Sequence, residues 1–171
     1  VGTLNFRLAF TDGLFQLSIQ NTLAYVILPV PIRIFGAFLC ARLFLHGGRF
    51  INWARGAILL PGIIPGAAFA LAWLWILNPL YGPLNLTLRA VGLVPPNWLA
   101  DTQWAKPGIV LALLWLIGEG FLVSLAALYD IPPQLEEAAE VDGATTWQTF
   151  WYVILPIIAP ILLILMFRDT V

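Results

Sequence analysis

Five of the nine carboxylates in this 171-residue chain lie between Asp130 and Asp142. They are Asp130, Glu136, Glu137, Glu140 and Asp142, with no Lys or Arg among them. Exposed carboxylates on a helix accept charge-assisted hydrogen bonds from Arg or Lys side chains of a partner. The residues alone leave two interpretations open: an acidic surface helix without a partner, or a docking element for a basic protein surface.

Three residues in apolar sequence are candidates for contact with a polar solute. Arg33 and Glu119 each interrupt an uncharged run, where an unpaired charge would cost several kcal/mol in a membrane. We consider a direct Arg33–Glu119 ion pair, an Arg33 side chain that reaches the membrane surface, and a substrate pathway lined by one or both. Trp75 is either an interfacial anchor or a surface on which a sugar ring stacks.

The composition gives little support to catalytic or metal chemistry. Cys40 is the only cysteine and His46 the only histidine, which argues against an internal disulfide, a cysteine zinc site and a histidine-rich metal centre. The chain shows no Walker-type glycine loop and no nucleophile beside a base, so we expect no catalytic residue, no metal and no cofactor. A net charge of −1 predicts no nucleic-acid partner.

Apolar helices must position these residues. The chain is 61% hydrophobic and 10% charged, with a mean hydropathy of +0.91, which is typical of a membrane protein. A span needs about 20 apolar residues and must be helical, because lipid cannot satisfy an open strand edge. The sequence predicts an all-α polytopic membrane bundle with spans at 21–45, 56–77, 107–128 and 153–171. Gly62 and Gly66 indicate close helix packing, or kinked helices that rock against one another.

The distribution of Lys and Arg predicts the orientation of these spans. The short connection 46–55 contains Arg49 and Arg55 and is preceded by Arg42, whereas Arg89 and Lys106 lie in a longer segment. Because cytoplasmic loops carry an excess of basic residues, we place 46–55 and 129–152 in the cytoplasm. Residues 1–20 and 78–106 then lie outside it.

Local signals predict a helix, a turn and a second helix in the acidic segment. Pro133 suits a first helical position, and a helix over 134–142 then places acids near its positive end. Gly143 suits the left-handed residue after a helix. Thr145 and Gln148 have capping-box spacing for the next helix, which runs into apolar sequence. We therefore expect a rigid element joined to a membrane span.

The same residues resemble a known motif. Glu137-Ala138-Ala139, followed by Gly143 and then by Leu155-Pro156, resembles the EAA motif of permease subunits in binding-protein-dependent ABC importers. Val153 departs mildly from the family pattern, which has Ile. Stretches similar to the sugar-importer branch occur at 78–85, 97–99, 115–118 and 125–128. The resemblance covers nearly the whole chain and implies a fragment, four of six spans, of a MetI-like permease domain.

The resemblance also implies partners and site residues. In that family the EAA loop docks on a separate ABC ATPase subunit, with Glu137 as the principal carboxylate, Ala138 and Ala139 allowing close approach and Gly143 making the turn. The implied docking set is Glu137, Ala138, Ala139, Asp142, Gly143, Leu155 and Pro156. The further implied partners are a second permease subunit, an extracytoplasmic solute-binding protein, the lipid bilayer of the inner membrane, and a polar solute of the sugar type.

Three other functions are compatible with parts of the sequence. A glycerol-phosphate-type solute is the nearest alternative. A passive channel or structural membrane subunit is compatible with four spans but leaves the acidic segment unexplained. An intramembrane enzyme would have Glu119 as its one plausible acid, and isolated carboxylates rarely suffice for catalysis.

Overall fold

The computed structural model describes residues 2–170, and every regular element within that range is a helix. The predicted all-α membrane fold is confirmed. Three helical runs are long and apolar enough to cross a membrane, and a bent helix pair makes up to four.

The first helical run begins earlier than predicted. Helix α1 spans Leu4–Thr11, α2 spans Gly13–Ile27 and α3 spans Pro29–Leu43. The Asp12 carboxylate accepts a hydrogen bond from the Leu14 amide at 2.9 Å and caps α2. Together α2 and α3 form a 31-residue run, so most of the predicted outer segment 1–20 is helical. Val1 lies outside the described residues.

The second predicted span is bent. Helix α4 spans Arg49–Ile63 and α5 spans Gly66–Ile76, with an angle of 104° between them. The backbone between them is extended at Ile64 because the residue before a proline disfavours helical geometry, and Pro65 itself has no amide to donate. The structure therefore divides the predicted span 56–77 into two helices at a sharp bend. The predicted loop 46–55 is also mostly helical, since α4 begins at Arg49.

The segment predicted as an outer loop, 78–106, contains a short helix. Helix α6 spans Pro83–Ala90, and its Asn85 side chain is fully buried. The Trp98 indole donates to Asn85 Oδ1 at 2.7 Å, and Asn85 donates to the Pro96 carbonyl at 3.4 Å. The segment is thus folded around a short helix and is not an open loop.

The remaining helices carry the acidic segment. Helix α7 spans Ala105–Leu114 and α8 spans Gly118–Tyr129, and they form one 25-residue run. Helix α9 spans Pro133–Val141. Helix α10 (Thr146–Thr149), a π-helical turn (Phe150–Ile154) and α11 (Leu155–Arg168) follow, and form one continuous 23-residue run.

The core lies where α3, α8 and α11 meet. Its fully buried side chains include Ala37, Phe38, Phe121 and Ile158. Small residues allow the helices to approach closely: a Cβ added at Gly118 would lie 2.8 Å from the Ile58 carbonyl oxygen of α4.

Gly62 and Gly66, which the sequence indicated as packing glycines, do not lie at close helix contacts within the described residues. A Cβ added at Gly62 or Gly66 would meet no atom within 4 Å in the described residues. Gly118 and Gly120 make the close helix contacts instead, because they face α4 and α3.

Candidate functional site

Helix α9 begins and ends at residues suited to those positions. Pro133 is its first residue, as predicted, and Glu136 lies in the first turn near the positive helix end. Gly143 has φ +80°, a conformation that side chains with a Cβ disfavour. The amide of Gly143 donates to the Glu140 carbonyl at 3.0 Å, and that of Ala144 to the Ala139 carbonyl at 2.9 Å. This pair of bonds is a Schellman motif, which fixes the direction of the chain after α9.

The next helix starts with the capping box that the sequence predicts. The Gln148 amide donates to Thr145 Oγ1 at 3.3 Å, and the Thr145 amide donates to Gln148 Oε1 at 2.8 Å. The helical run that begins there continues to Arg168. A rigid turn therefore connects α9 to a helix of membrane-spanning length.

Helix α9 presents most of its side chains to solvent. None of its residues is buried, and Glu137, Ala138 and Glu140 are exposed, as are Asp142 and Gly143 beyond its end. Ala139 is half-buried. Five of the seven predicted docking residues thus lie on or directly after one exposed helix.

The other two predicted docking residues lie apart from this surface. Leu155 and Pro156 begin α11, after the π-helical turn. Leu155 is half-buried and packs against the hydrophobic core, whereas Pro156 is exposed.

A polar contact that the sequence did not predict joins α9 to the membrane helices. Arg42 Nη2, at the end of α3, donates to Glu136 Oε2 at 2.8 Å. The two side chains flank a cleft of about 340 Å³ that His46, Tyr129, Glu137 and Glu140 also line. The sequence signal was present: Arg42 ends a span on the side where the acidic segment lies and has no carboxylate near it in sequence.

A second cluster of polar contacts fixes the end of α3. Arg55 of α4 donates to the Phe44 and Leu45 carbonyls and, at 3.0 Å, to the Tyr129 hydroxyl. Tyr129, the last residue of α8, donates its hydroxyl to the Leu45 carbonyl at 2.9 Å. Three helices therefore meet at the segment that follows α3.

Four charged residues form a chain between α3, α8 and α11. Arg33 pairs with Asp169, Arg168 donates to Asp169 Oδ1 at 2.7 Å through Nη2, and Arg168 Nη1 pairs with Glu119. A direct Arg33–Glu119 pair was wrong, because Asp169 and Arg168 lie between these two side chains. The four charges sum to zero.

The two ends of this charge chain differ in exposure. The Arg33 and Asp169 side chains are 16% and 8% exposed, whereas those of Arg168 and Glu119 are 42% and 69% exposed. Arg33 and Glu119 lie in the middle parts of their helical runs. Because Asp169 and Arg168 contact them, the end of α11 lies level with the middle of the α2–α3 and α7–α8 runs. One end of the chain is thus shielded by protein, and the other is open.

Trp75 lies apart from the charge chain. It is exposed and lines a cavity of about 390 Å³ beside Asn78, Tyr81 and Leu99. Neither Arg33 nor Glu119 lines that cavity. The structure therefore links Arg33 to Glu119 through two intermediate residues and separates both from Trp75.

Within residues 2–170, no group of three or more His, Cys, Asp or Glu side chains is arranged to hold a metal ion. Cys40 is a free, half-buried thiol in α3.

Comparison with known proteins gives a consistent result. Residues 33–170 match the family described as binding-protein-dependent transport system inner membrane component. The lactose transport system permease protein LacF of Rhizobium radiobacter is 31% identical over 99% of this chain and 58% of its own length. The xylose/arabinose import permease protein XacH of Haloferax volcanii is 34% identical over 86% of this chain and 47% of its own.

The name of a third relative refers to a different solute. The sn-glycerol-3-phosphate transport system permease protein UgpA of Agrobacterium fabrum is 30% identical over 100% of this chain and 58% of its own length. This chain spans about half the length of these three relatives.

The fold matches solved structures as well. The crystal structure of a bacterial alginate ABC transporter, in complex with an alginate pentasaccharide-bound periplasmic protein, gives a TM-score of 0.83 at 28% identity. The match covers 95% of this chain and 57% of that one. Since the family match covers most of the chain and the helices agree with it, this chain belongs to the family of inner membrane components of binding-protein-dependent transport systems.

Proposed function

We propose that this chain is part of the transmembrane permease subunit of an ABC importer that moves a sugar across the cytoplasmic membrane. The observation that carries this proposal is the exposed acidic helix α9, joined by an ordered turn to a helix of membrane-spanning length. Such an arrangement lets a force applied to α9 reach a span.

Helix α9 is the docking element for a separate ATPase subunit. Glu137 is exposed and accepts no side-chain hydrogen bond or ion pair within the described residues, so its carboxylate is available to an Arg or Lys of that partner. Ala138 and Ala139 have small side chains, which allow the partner to approach the helix closely. Asp142 and Gly143 form its exposed end. Leu155 and Pro156 act as the connection to the span rather than as contact residues. This assignment places 46–55 and 129–152 in the cytoplasm.

The open end of the charge chain faces the solute pathway. Charged side chains within a membrane face a bundle interior or a water-filled cavity rather than lipid. Glu119 and Arg168 are the exposed members, and their polar atoms can hydrogen-bond the hydroxyl groups of a sugar. Arg33 supports them through Asp169. Trp75, beside Tyr81, supplies an aromatic surface nearer the outer segment.

The transport cycle follows from this arrangement. Closure of the ATPase subunits on ATP displaces α9, and the rigid turn carries the displacement into α11. The spans then shift between outward-open and inward-open populations. A second permease subunit completes the pathway, and an extracytoplasmic binding protein delivers solute to residues 78–106.

Two of the relatives support a sugar as the solute, because lactose and xylose/arabinose appear in the names of LacF and XacH. A glycerol-phosphate-type solute is the second candidate, since UgpA is similar over the same length. Uptake by the intact transporter in vesicles separates them: a neutral saccharide taken up in preference to glycerol phosphate supports the first candidate, and the reverse order supports the second.

Two other classes of function agree less well with the geometry. A passive channel or a structural subunit would not explain the exposed acidic helix α9 or the Schellman motif that follows it. An intramembrane enzyme leaves the exposed acidic helix equally unexplained, and its one candidate acid, Glu119, is ion-paired with Arg168.

A further inference from the structure

Helix α9 is attached to the membrane helices by very few contacts. It buries none of its own residues. Within residues 2–170, the Arg42–Glu136 bond is the one side-chain hydrogen bond between α9 and another helix. Apart from that bond, α9 is held by the chain at its two ends and by contacts with α10 and the π-helical turn that follows it. The Arg42–Glu136 ion pair is therefore the one side-chain bond that ties α9 to the end of α3 within the described residues.

The three glutamates of α9 are not equivalent. Glu136 faces inward and is half-buried against Arg42, with side-chain exposures of 34% and 20%. Glu137 and Glu140 are exposed and form no ion pair within the described residues. The three glutamates therefore divide into two groups: Glu136 is used inside the chain, and Glu137 and Glu140 are left for an outside partner.

Arg42 itself is held on a rigid support. Its neighbour Ala41 is fully buried in the core, and the two residues after Leu43 are fixed by Arg55 and Tyr129. Since Arg55 belongs to α4 and Tyr129 to α8, the end of α3 is tied to two other helices. A displacement of Glu136 thus reaches three membrane helices through Arg42.

We propose that Arg42 is a positioning residue for coupling: it holds α9 against the end of α3 through Glu136, and thereby transmits movement of α9 to α3, α4 and α8. This inference rests on the proposed function, because it assumes that an ATPase subunit moves α9. It adds a second path of transmission beside the covalent one that runs through Gly143 into α11. Glu137 and Glu140 bind the partner, and Glu136 does not.

The test uses the intact transporter with its ATPase subunit, reconstituted in lipid vesicles. Spin labels at Val141 on α9 and Phe50 on α4, both highly exposed, report the distance between these helices with and without ATP and vanadate. The variants are Arg42→Gln, Glu136→Gln and the double exchange Arg42→Glu/Glu136→Arg. Arg49→Gln is the matched control, because Arg49 is exposed and makes no side-chain bond within the described residues.

The wild-type ion pair should keep the α9–α4 distance nearly constant with ATP, because the two helices move together. We expect Arg42→Gln and Glu136→Gln to retain the ATPase subunit but to broaden the distance distribution and to make the distance change with ATP. Solute uptake per ATP hydrolysed, measured with the preferred saccharide of the wild-type transporter, should fall about fivefold, as expected for loss of one partly shielded ion pair. The double exchange should restore both readouts, which general damage to folding would not allow.

Two results overturn the inference. One is an Arg42→Gln transporter whose distance response and uptake ratio equal those of Arg49→Gln. The other is a double exchange that is no better than either single variant. Failure of the proposed function gives a different result, since the wild-type protein would then not retain an ATPase subunit at all.

Discussion

Arg168, the last residue of α11, is ion-paired with Glu119 near the start of α8, although the two lie 49 positions apart. Arg168 also bonds Asp169, which pairs with Arg33 of α3. One string of charges thus fixes the relative positions of three membrane helices.

Asp169 is the residue on which the charge chain depends. It accepts bonds from both Arg33 and Arg168, so Asp169→Asn leaves Arg33 without a charged partner within the described residues and Arg168 with Glu119 alone. Removing one member of a buried ion pair typically costs about 3 kcal/mol or more. We expect the detergent-solubilised protein to unfold at a clearly lower temperature, as measured by thermal unfolding. Asp130→Asn, at an exposed carboxylate without a side-chain bond within the described residues, should leave the transition unchanged. Equal effects of the two substitutions would contradict the structural role of Asp169.

Glu119 should affect transport more than stability. Its side chain is mostly exposed and keeps Arg168 oriented at the open end of the chain. We expect Glu119→Gln to retain normal protein levels and ATPase docking, and to lower the rate of solute uptake about tenfold, on the order of one well-placed charged hydrogen bond. Initial uptake rates in vesicles, corrected for the amount of protein, provide the measurement. A variant with normal rate and specificity per molecule, and with only a reduced protein level, would exclude Glu119 from the pathway.

Gly143 should be sensitive to its backbone conformation rather than to space. Its φ is +80°, and an added Cβ would meet no atom within 4 Å. Gly143→Ala should therefore cost about 1–2 kcal/mol in the turn and weaken coupling, because α9 loses its fixed direction. Gly143→Asn is the matched variant, since Asn tolerates this conformation better. Uptake per ATP hydrolysed should be lower for Ala than for Asn, and the opposite order would disprove the conformational explanation.

Gly118 should be sensitive to space. A Cβ at this position would lie 2.8 Å from the Ile58 carbonyl oxygen, so Gly118→Ala must separate α8 from α4. Overpacking of this kind typically costs about 1–3 kcal/mol. Gly62→Ala, where nothing lies within 4 Å, should be neutral or slightly stabilising. The measurement is the thermal unfolding temperature of each variant. A lower unfolding temperature for Gly62→Ala together with an unchanged one for Gly118→Ala would contradict the packing described for α4 and α8.

The sequence could predict the features that depend on neighbouring residues. Pro133 at the start of α9, Gly143 in the turn, and the Thr145–Gln148 capping box are local devices, and all three occur as expected. The predicted helix 134–142 differs from α9 by one residue at each end. These features need no knowledge of the rest of the fold.

The contacts between distant residues could not be predicted in the same way. Arg33 and Asp169 are 136 positions apart, and four charges in apolar sequence allow several pairings. Hydropathy also could not predict the bend between α4 and α5, because an uncharged run has the same hydropathy whether its helix is straight or broken. Pro65 was the visible signal, but proline alone does not specify an angle.

The central claim, that α9 docks an ATPase subunit through Glu137, is tested most directly by purifying the intact transporter with Glu137→Lys. Glu137 is exposed and forms no bond within the described residues, so the change should leave folding intact and place a cation against the basic surface of the partner. We expect the variant to lose the ATPase subunit, or to retain it while ATP hydrolysis no longer drives uptake, whereas Glu137→Gln should show a milder defect. A Glu137→Lys transporter that keeps its ATPase subunit and its wild-type ratio of uptake to ATP hydrolysis would contradict this claim.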